Sequence, residues 1–218
     1  PSLTTYGGLN PASSSGVMKY VRIEYAGKKV RGSSESFNAL LLGGIGNKTI
    51  LENIMVSYAL GDSFEVLGGE PVMTKMVSYK SSGIDFKFTL GAQAKIDNSL
   101  ALRSSYLSSV SGSRCLDVSS YIKKDDVDFT KKQTLVTATN LTLANDSDNI
   151  DQDIKAGLVK EGVYVAENCS LVLRKSVISG FSPAVVFDNK IEINDKNLKK
   201  IRIEEMYLNY CNGNIFSE

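Results

Sequence analysis

Five charged side chains recur at matching places in a short stretch of sequence and could do chemistry together. They are Asp62, Glu65, Asp85 and Lys87, with Arg103 one repeat further on. If these side chains point outward from stacked strands, the carboxylates could supply the several oxygen ligands that Ca²⁺ needs. The lysine or the arginine could then act as a base or stabilise developing charge. The alternative, which we favour, is a solvated row of cross-strand ion pairs that helps strand register and little else.

A second acidic cluster occupies residues 145–153 and does not match a known cation loop. A Ca²⁺-binding loop requires glycine at its sixth position and glutamate at its twelfth. Counted from Asp146, those positions hold Asp151 and Gly157. A disordered or helix-capping acidic loop is the better interpretation. We therefore expect no cofactor, with Ca²⁺ at the acidic row of the preceding paragraph as the alternative.

Three tyrosines in the longer connections could stack on sugar rings if their loops bring them to the surface: Tyr106, Tyr121 and Tyr164. Most of the other tyrosines are expected to pack in the core or at its rim. The mixed charges between Lys123 and Lys132 are typical of a solvated loop.

Composition excludes several functional classes. The 218 residues include no histidine, which removes the commonest general base and the usual zinc ligand. The net charge of +1 gives no reason to expect nucleic acid as a partner. Cys115, Cys169 and Cys211 are widely spaced, and we interpret them as small buried side chains, with a disulfide or a metal role as the alternative. No apolar run approaches the ~20 residues that cross a bilayer.

Two short phrases alternate along the chain, and their periodicity predicts the fold. The first is a β-rich run that ends in a glycine, as in Val21–Gly27 and Ile54–Gly61. The second ends at one or two glycines, as in Phe64–Gly69 and Phe86–Gly91. Two short strands per turn of about 22 residues, joined by glycine-rich corners, are typical of a parallel β-helix. The predicted fold class is all-β, a single-stranded right-handed parallel β-helix (a solenoid) with longer loop insertions.

Equivalent residues of successive turns in such a solenoid lie above one another at about 4.8 Å. Two columns of side chains are therefore predicted. The aliphatic column contains Ile23, Val56, Val77 and Leu100, and the aromatic column contains Tyr25, Tyr58 and Tyr79.

Residues 1–218 are predicted to form one β-helix domain, with the last turn and a C-terminal cap in residues 190–218. A short helix is expected within residues 148–159. The insertions that lengthen the period are residues 104–114, 119–133 and 145–160. The sequence starts at Pro1 without a methionine or a signal peptide, so further N-terminal turns are expected upstream.

Three phrases carry a family resemblance, at Ser15–Gly27, Gly61–Gly69 and Asn168–Phe181. Over roughly residues 6–189 the chain resembles a group of secreted or lipid-anchored right-handed β-helix proteins of Bacteroidetes with the pectin-lyase-like fold. The resemblance implies a location in the cell envelope or outside the cell. Acid-rich phrases of that group read Gly-Asp-Ser-Phe-Glu and Gly-Ile-Asp-Phe-Lys in this chain, so several acids are missing. The resemblance therefore does not imply a metal-binding or acid-catalytic role for these two phrases.

Three functions from different classes are consistent with the sequence. We favour a cell-surface or periplasmic protein that binds a glycan or another surface protein without catalysis. The first alternative is a polysaccharide lyase or hydrolase acting on a long polymer in a surface groove, with the row of charged residues as its site. The second alternative is a structural, adhesin-like spacer. No transmembrane segment is expected, and a lipid anchor upstream of the chain is compatible with each function.

Overall fold

The structure, a computed structural model, describes residues 6–32, 36–107, 114–192, 194–211 and 216–217. Short strands dominate it, and every pairing between these strands is parallel. The all-β prediction is therefore confirmed. The strands are β1 (Val17–Glu24), β2 (Leu40–Gly43), β3 (Ile50–Ser57), β4 (Phe64–Leu67), β5 (Val72–Tyr79), β6 (Phe86–Thr89), β7 (Gln93–Asp97), β8 (Leu100–Ser104), β9 (Leu116–Val118), β10 (Thr134–Thr139), β11 (Thr142–Asp146), β12 (Val163–Val165), β13 (Cys169–Arg174), β14 (Val177–Ser179), β15 (Val185–Phe187), β16 (Ile201–Glu204), β17 (Tyr207–Asn209) and β18 (Phe216–Ser217). The helices are α1 (Ile150–Lys155), α2 (Asp195–Leu198) and two 3₁₀ turns at Ser105–Leu107 and Lys124–Asp126.

Each coil of the solenoid contains three strand segments, and the prediction of two is wrong. The strands form one 11-stranded sheet and one seven-stranded sheet. The long strand β5 bends in its middle, because its first half pairs with β7 and its second half with β8. Each first-type phrase therefore supplies two segments of the 11-stranded sheet, which we call a and b. The second-type phrase supplies segment c, in the seven-stranded sheet.

One residue in the left-handed backbone conformation makes the bend between segments a and b in every coil. The φ angles at these bends lie between 50° and 58°. The bend residues are Tyr20, Asn53, Lys75, Asn98, Asn140, Lys175 and Glu205. Asparagine adopts this conformation more readily than most residues, but lysine, tyrosine and glutamate do not. Because no glycine marks the bend, the two segments read as one strand in the sequence.

The predicted aliphatic stack is out of register with the structure by one residue from its third member onward. Ile23 pairs with Val56, but Val56 pairs with Ser78 in the next coil. Val77 and Leu100 pair with each other in the neighbouring, outward column. The predicted stack is wrong because Ser78 is turned into the core, where its hydroxyl is hydrogen-bonded and costs little to bury.

The predicted aromatic column is confirmed for two of its three members. Tyr25 and Tyr58 stack with ring centroids 5.2 Å apart and planes inclined by 8°. Tyr79 lies one position earlier in its coil, beside Ser57, and meets Tyr58 edge-on at 5.5 Å. Lys80 continues the column instead of a third stacked ring, and its Nζ lies 5.4 Å from the centre of the Tyr79 ring.

Insertions occur at two of the three corners of the coil. Residues 105–114 and 147–162 lie between segments b and c, and residues 119–133 lie between segments c and a. The predicted short helix within residues 148–159 is confirmed as α1. Residues 193, 212–215 and 218 of the predicted last turn and C-terminal cap lie outside the described residues. Within them, β18 pairs with β15 and extends the seven-stranded sheet.

Candidate functional site

A strip of polar side chains runs along the outer face of the seven-stranded sheet. Residues of segment c alternate between the core and this face. In four successive coils the outer column holds Glu65, Lys87, Asp117 and Tyr164. Side chains from the neighbouring corners join the column. We call the whole set the polar strip: Asp62, Glu65, Lys87, Arg114, Asp117, Glu161, Tyr164 and Asp188.

At one end of the polar strip, two carboxylates share Lys87. Its Nζ lies 2.8 Å from Glu65 Oε1 and 3.2 Å from Asp62 Oδ2. The side-chain amide of Asn38 donates to Glu65, and Asp62 Oδ1 accepts from the backbone N–H of Ile84 at 2.9 Å. Burial lowers the pKa of Lys87, but the two carboxylates outweigh burial and hold that pKa above its usual value of 10.5. Lys87 is therefore protonated at neutral pH.

In the middle of the polar strip, Arg114 contacts two more carboxylates and covers a tyrosine ring. Its Nη1 lies 2.7 Å from Asp117 Oδ2, Nη2 contacts Glu161, and the guanidinium carbon is 4.3 Å from the centre of the Tyr164 ring. The Tyr164 hydroxyl donates to Asp188 Oδ2 at 2.9 Å. Burial raises the pKa of Asp117 against the opposing charge of Arg114. Burial and the bond to Asp188 both raise the pKa of Tyr164, which stays a phenol at neutral pH.

The other two predicted site residues, Asp85 and Arg103, lie inside the solenoid. Arg103 Nη1 is 2.8 Å from Asp85 Oδ2, and the two side chains are 2% and 0% exposed. Arg103 also donates to the backbone carbonyls of Gly83 and Ser81 at 2.7 and 3.2 Å. Desolvation raises the pKa of Asp85, and Arg103 opposes that rise. The prediction of an outward row is wrong for this pair. Asp85 lies in a corner just before β6, where the alternation of a strand does not hold. Arg103 lies two residues after buried Ala101 in β8, so its side chain points inward as well.

Comparison with known proteins identifies the family to which this solenoid belongs. The family model described as a pectate-lyase like beta helix domain matches residues 2–215. The chain belongs to the pectate-lyase-like beta-helix family. No curated protein and no solved structure matches it. Family membership fits the stacked parallel strands described above.

Two carboxylates of this pectate-lyase-like domain lie close together beside Lys87. Since both contact Lys87 Nζ, Asp62 Oδ2 and Glu65 Oε1 are no more than 6.0 Å apart. Carboxyl separations of about 5–10 Å occur in glycoside hydrolases. Here, however, an ammonium group contacts both carboxylates and offsets part of their charge. The polar strip thus offers oriented hydrogen-bond donors and acceptors rather than a free base.

The acidic cluster at residues 145–153 has a structural role in the pectate-lyase-like domain. It contains the start of α1, where Asn149 Oδ1 accepts from the backbone N–H of Gln152 at 3.2 Å. Asp153 is buried and accepts from the Ser147 hydroxyl at 2.6 Å. Of the two interpretations left open by the sequence, a disordered loop or a helix-capping loop, this arrangement agrees with the helix-capping one.

The remaining sequence candidates are spread over the surface and the core. Tyr106 is 78% exposed, whereas Tyr121 is buried. All three cysteines lie in the described part of the chain and are free, with Cys115 and Cys169 buried as predicted and Cys211 half-buried. Across the described ranges, Cys, Asp and Glu side chains nowhere gather in a group of three or more that could hold a metal ion. In the same ranges, no helix has the length and apolar character of a membrane span.

Four members of the polar strip were missed from the sequence: Arg114, Asp117, Glu161 and Asp188. Asp117 lies in the same column as Lys87, so an alignment of β9 with β6 would have found it. The insertion between these two strands hides that period. Arg114 and Glu161 belong to insertions, and an insertion carries no repeat that relates it to the sheet.

A separate concavity of about 510 Å³ lies at the corner between segments c and a. Its lining includes Gly44, Gly69 and Gly91, together with Glu70 and Lys132, which form an ion pair at 3.1 Å. Because the Lys132 side chain is exposed and that of Glu70 is only half-buried, the pair itself adds little stability. The sequence does not predict this concavity, since glycine corners are expected in any such solenoid.

Proposed function

We propose that this β-helix domain binds a glycan along the polar strip without cleaving it. The observation that supports the proposal is the pairing of the strip's charges, seen most clearly where Lys87 contacts Asp62 and Glu65. Side chains that are already held in place lose little conformational freedom when a ligand binds. The side chains of Lys87 and Asp62 keep 23% and 15% of their surface exposed, and a paired carboxylate still has lone pairs that can accept hydrogen bonds from sugar hydroxyls.

The same pairing argues against a polysaccharide lyase. Proton abstraction requires a base that is deprotonated at the working pH. The pKa of Lys87 lies above its usual value, so this lysine remains charged. Arg103, the other base considered from the sequence, is buried inside the solenoid, out of reach of a polymer.

A hydrolase is the second candidate, and one observation favours it. Asp62 Oδ2 and Glu65 Oε1 are no more than 6.0 Å apart, an upper limit that is compatible with the separation of about 5–5.5 Å in retaining glycoside hydrolases. For this pair to act, a bound polymer would have to displace Lys87 from between the two carboxylates. Binding without cleavage requires no such rearrangement and is therefore the preferred function.

We also propose a right-handed winding and a location in the cell envelope or outside the cell. Crossover connections between parallel strands of one sheet are right-handed in about 98% of cases, which supports the winding. The resemblance to secreted and lipid-anchored proteins of Bacteroidetes supports the location. A surface protein is the alternative ligand for the same face.

Glycan-array binding followed by titration tests the function. We expect the wild-type domain to bind at least one polysaccharide. Lys87→Met and Asp117→Asn should each weaken that binding by about tenfold, because each removes charge-assisted hydrogen bonding from the strip. Lys95→Met, on the exposed outer side of β7, is the matched control and should bind normally.

Two results would contradict the proposal. One is the absence of binding across a broad array by folded wild-type protein, which would favour a spacer role. The other is release of reducing ends or unsaturated sugars from a bound polymer. That release, with loss of activity in Asp62→Asn, would identify an enzyme instead.

A further inference from the structure

The polar strip carries more negative charge than positive charge. It contains two bases and five acids, which are Lys87, Arg114, Asp62, Glu65, Asp117, Glu161 and Asp188. With all seven groups ionised its net charge is −3, whereas the net charge of the whole chain is +1. The excess of carboxylates is therefore a local property of this face. It lies in middle coils, since strands β4, β6, β9 and β12 each have a paired strand on both sides.

The excess arises because each base is shared by two carboxylates. Lys87 Nζ contacts both Asp62 and Glu65. Arg114 repeats this arrangement, with one carboxylate at each of its two Nη atoms. Each cluster of three side chains therefore keeps a net charge of −1. The four carboxylate side chains of these clusters are 11–15% exposed, so their outer edges are open to a ligand.

Other bases near the strip do not remove the excess. Lys190, two residues after Asp188, forms an ion pair at 3.1 Å with Glu167, a carboxylate outside the strip. Even when exposed Lys160, which precedes Glu161, is added to the count, carboxylates remain in excess. The sequence of residues 108–113, just before Arg114, contains only serine, valine and glycine and adds no charge.

Two titratable groups of the strip respond to these negative surroundings. Burial lowers the pKa of Lys87, but Asp62 and Glu65 more than offset this effect. Burial raises the pKa of Tyr164, and the carboxylates of Asp188 and Asp117 raise it further. In both cases the carboxylates favour the protonated form, as an excess of negative charge does.

We propose that the glycan bound by the polar strip carries free amino groups, and that its ammonium groups contact the clusters around Lys87 and Arg114. This inference rests on the proposed glycan binding and names the chemical class of the ligand. Hydrogen bonds between an ammonium group and a carboxylate are charge-assisted and stronger than those of a neutral hydroxyl. A polyuronate would instead bring like charges together, which weakens binding.

The two clusters also favour a polymer over a single amino sugar. They lie in neighbouring coils, because Lys87 and Asp117 are paired in register. A chain that presents several ammonium groups can engage both clusters at once, so the second contact forms at a high effective concentration.

Calorimetric titration with three hexasaccharides tests the proposal. The probes are the hexamers of glucosamine, N-acetylglucosamine and galacturonic acid, used at about pH 6, where ordinary carboxylates are ionised. The first two differ only in the acetyl groups that remove the charge from nitrogen. We expect the glucosamine hexamer to bind about tenfold more tightly than its acetylated counterpart, and the galacturonic acid hexamer to bind most weakly. Added salt should weaken only the binding of the glucosamine hexamer.

Charge-neutralising variants test whether the strip is the site of the amine. Glu161→Gln and Asp62→Asn each remove one negative charge with little change of shape, and each should reduce the preference for the glucosamine hexamer several-fold. Glu52→Gln is the matched control, because Glu52 is also shared by two bases, Lys19 and Lys75, but lies in the 11-stranded sheet. It should keep the wild-type preference. Circular dichroism checks that all three variants are folded.

The possible failures of this inference differ from those of glycan binding itself. Binding of the acetylated or the galacturonic acid hexamer as tightly as the glucosamine hexamer would overturn the inference alone and leave glycan binding standing. A preference that persists in both strip variants, or equal binding of hexalysine, would also overturn the inference. Absence of binding by all three hexamers and across the glycan array would overturn both proposals.

Discussion

Charged residues inside the solenoid and on its outer surface are stabilised by different means. Inside, Asp85 and Arg103 have no water to replace a lost partner, because both side chains are almost completely buried. Outside, Arg22 and Glu24 form a pair that is open to solvent. The same chemical change should therefore have very different consequences at the two places.

Asp85→Ala is expected to lower the free energy of unfolding by about 3–5 kcal/mol, because it leaves the Arg103 guanidinium buried without its counter-charge. Urea denaturation measures this loss. Glu24→Ala breaks the exposed pair with Arg22 and serves as the control, with little expected change. Equal effects of the two substitutions would show that Arg103 is held mainly by its backbone carbonyl acceptors.

The stabilising contribution of Lys87 is expected to depend on pH in the alkaline range. The folded-state pKa of Lys87 is raised above the ordinary value of 10.5. Its contribution is therefore fully present below about pH 10.5 and is lost as the pH rises through the folded-state value. The difference in unfolding free energy between wild type and Lys87→Met should be constant from pH 6 to pH 9 and should shrink above about pH 10.5. A difference that already shrinks near neutral pH would show that the pKa is lowered instead.

At the scale of elements, the left-handed bend between segments a and b is the recurring strained feature. Lys175 occupies one bend with φ 51° and an exposed side chain. Lys175→Gly is expected to raise the free energy of unfolding by about 0.5–1 kcal/mol, since glycine removes the steric cost of this conformation. Lys95→Gly, in the middle of a regular strand, should lower it by about 0.5–1 kcal/mol. Chemical denaturation of both proteins checks the opposite signs.

Glycine corners between segments c and a are the second recurring element. A Cβ on Gly69 would lie 2.4 Å from the backbone oxygen of Ile45, and φ there is +74°. Gly69→Ala is therefore expected to cost more than about 1 kcal/mol, measured as a fall in the denaturation midpoint. Gly8→Ala is the control, because no atom lies within 4 Å of a Cβ at Gly8. A neutral Gly69→Ala would mean that the neighbouring coil can move aside.

Elements that repeat without interruption could be predicted from the sequence, and those behind insertions could not. Lys87 was found because its coil follows the previous one without an insertion, so the period is visible. Asp117 occupies the equivalent position one coil later, but residues 105–114 separate it from its repeat. The bends were missed for a different reason: lysine or glutamate in a left-handed conformation has no recognisable pattern, and only neighbouring coils hold it there.

At the scale of the whole molecule, stability comes from contacts between adjacent coils. Each coil touches only its neighbours, so a solenoid behaves as a one-dimensional array. Middle coils have a neighbour on both sides and contain fully buried residues such as Phe86 and Met73. The described end coils have one neighbour and half-buried inward side chains such as Ile23 and Leu208.

Hydrogen exchange is expected to be slowest in the middle of the array and fastest at its ends. Amides of β5 and β6 should exchange late, and those of β1, β16 and β17 early, because end coils open without breaking contacts on two sides. Uniform exchange along the chain would indicate a single all-or-none unit.

The bend between segments a and b has the same length in every coil, as the pairings of Glu52 with Thr74 and of Met55 with Val77 illustrate. The long insertions lie at the other two corners of the coil, so this corner of the solenoid is uninterrupted. A duplicated unit that runs from one bend to the next would therefore bring its own loops and fit between its neighbours without altering them. The solenoid can therefore be lengthened or shortened in units of one whole coil.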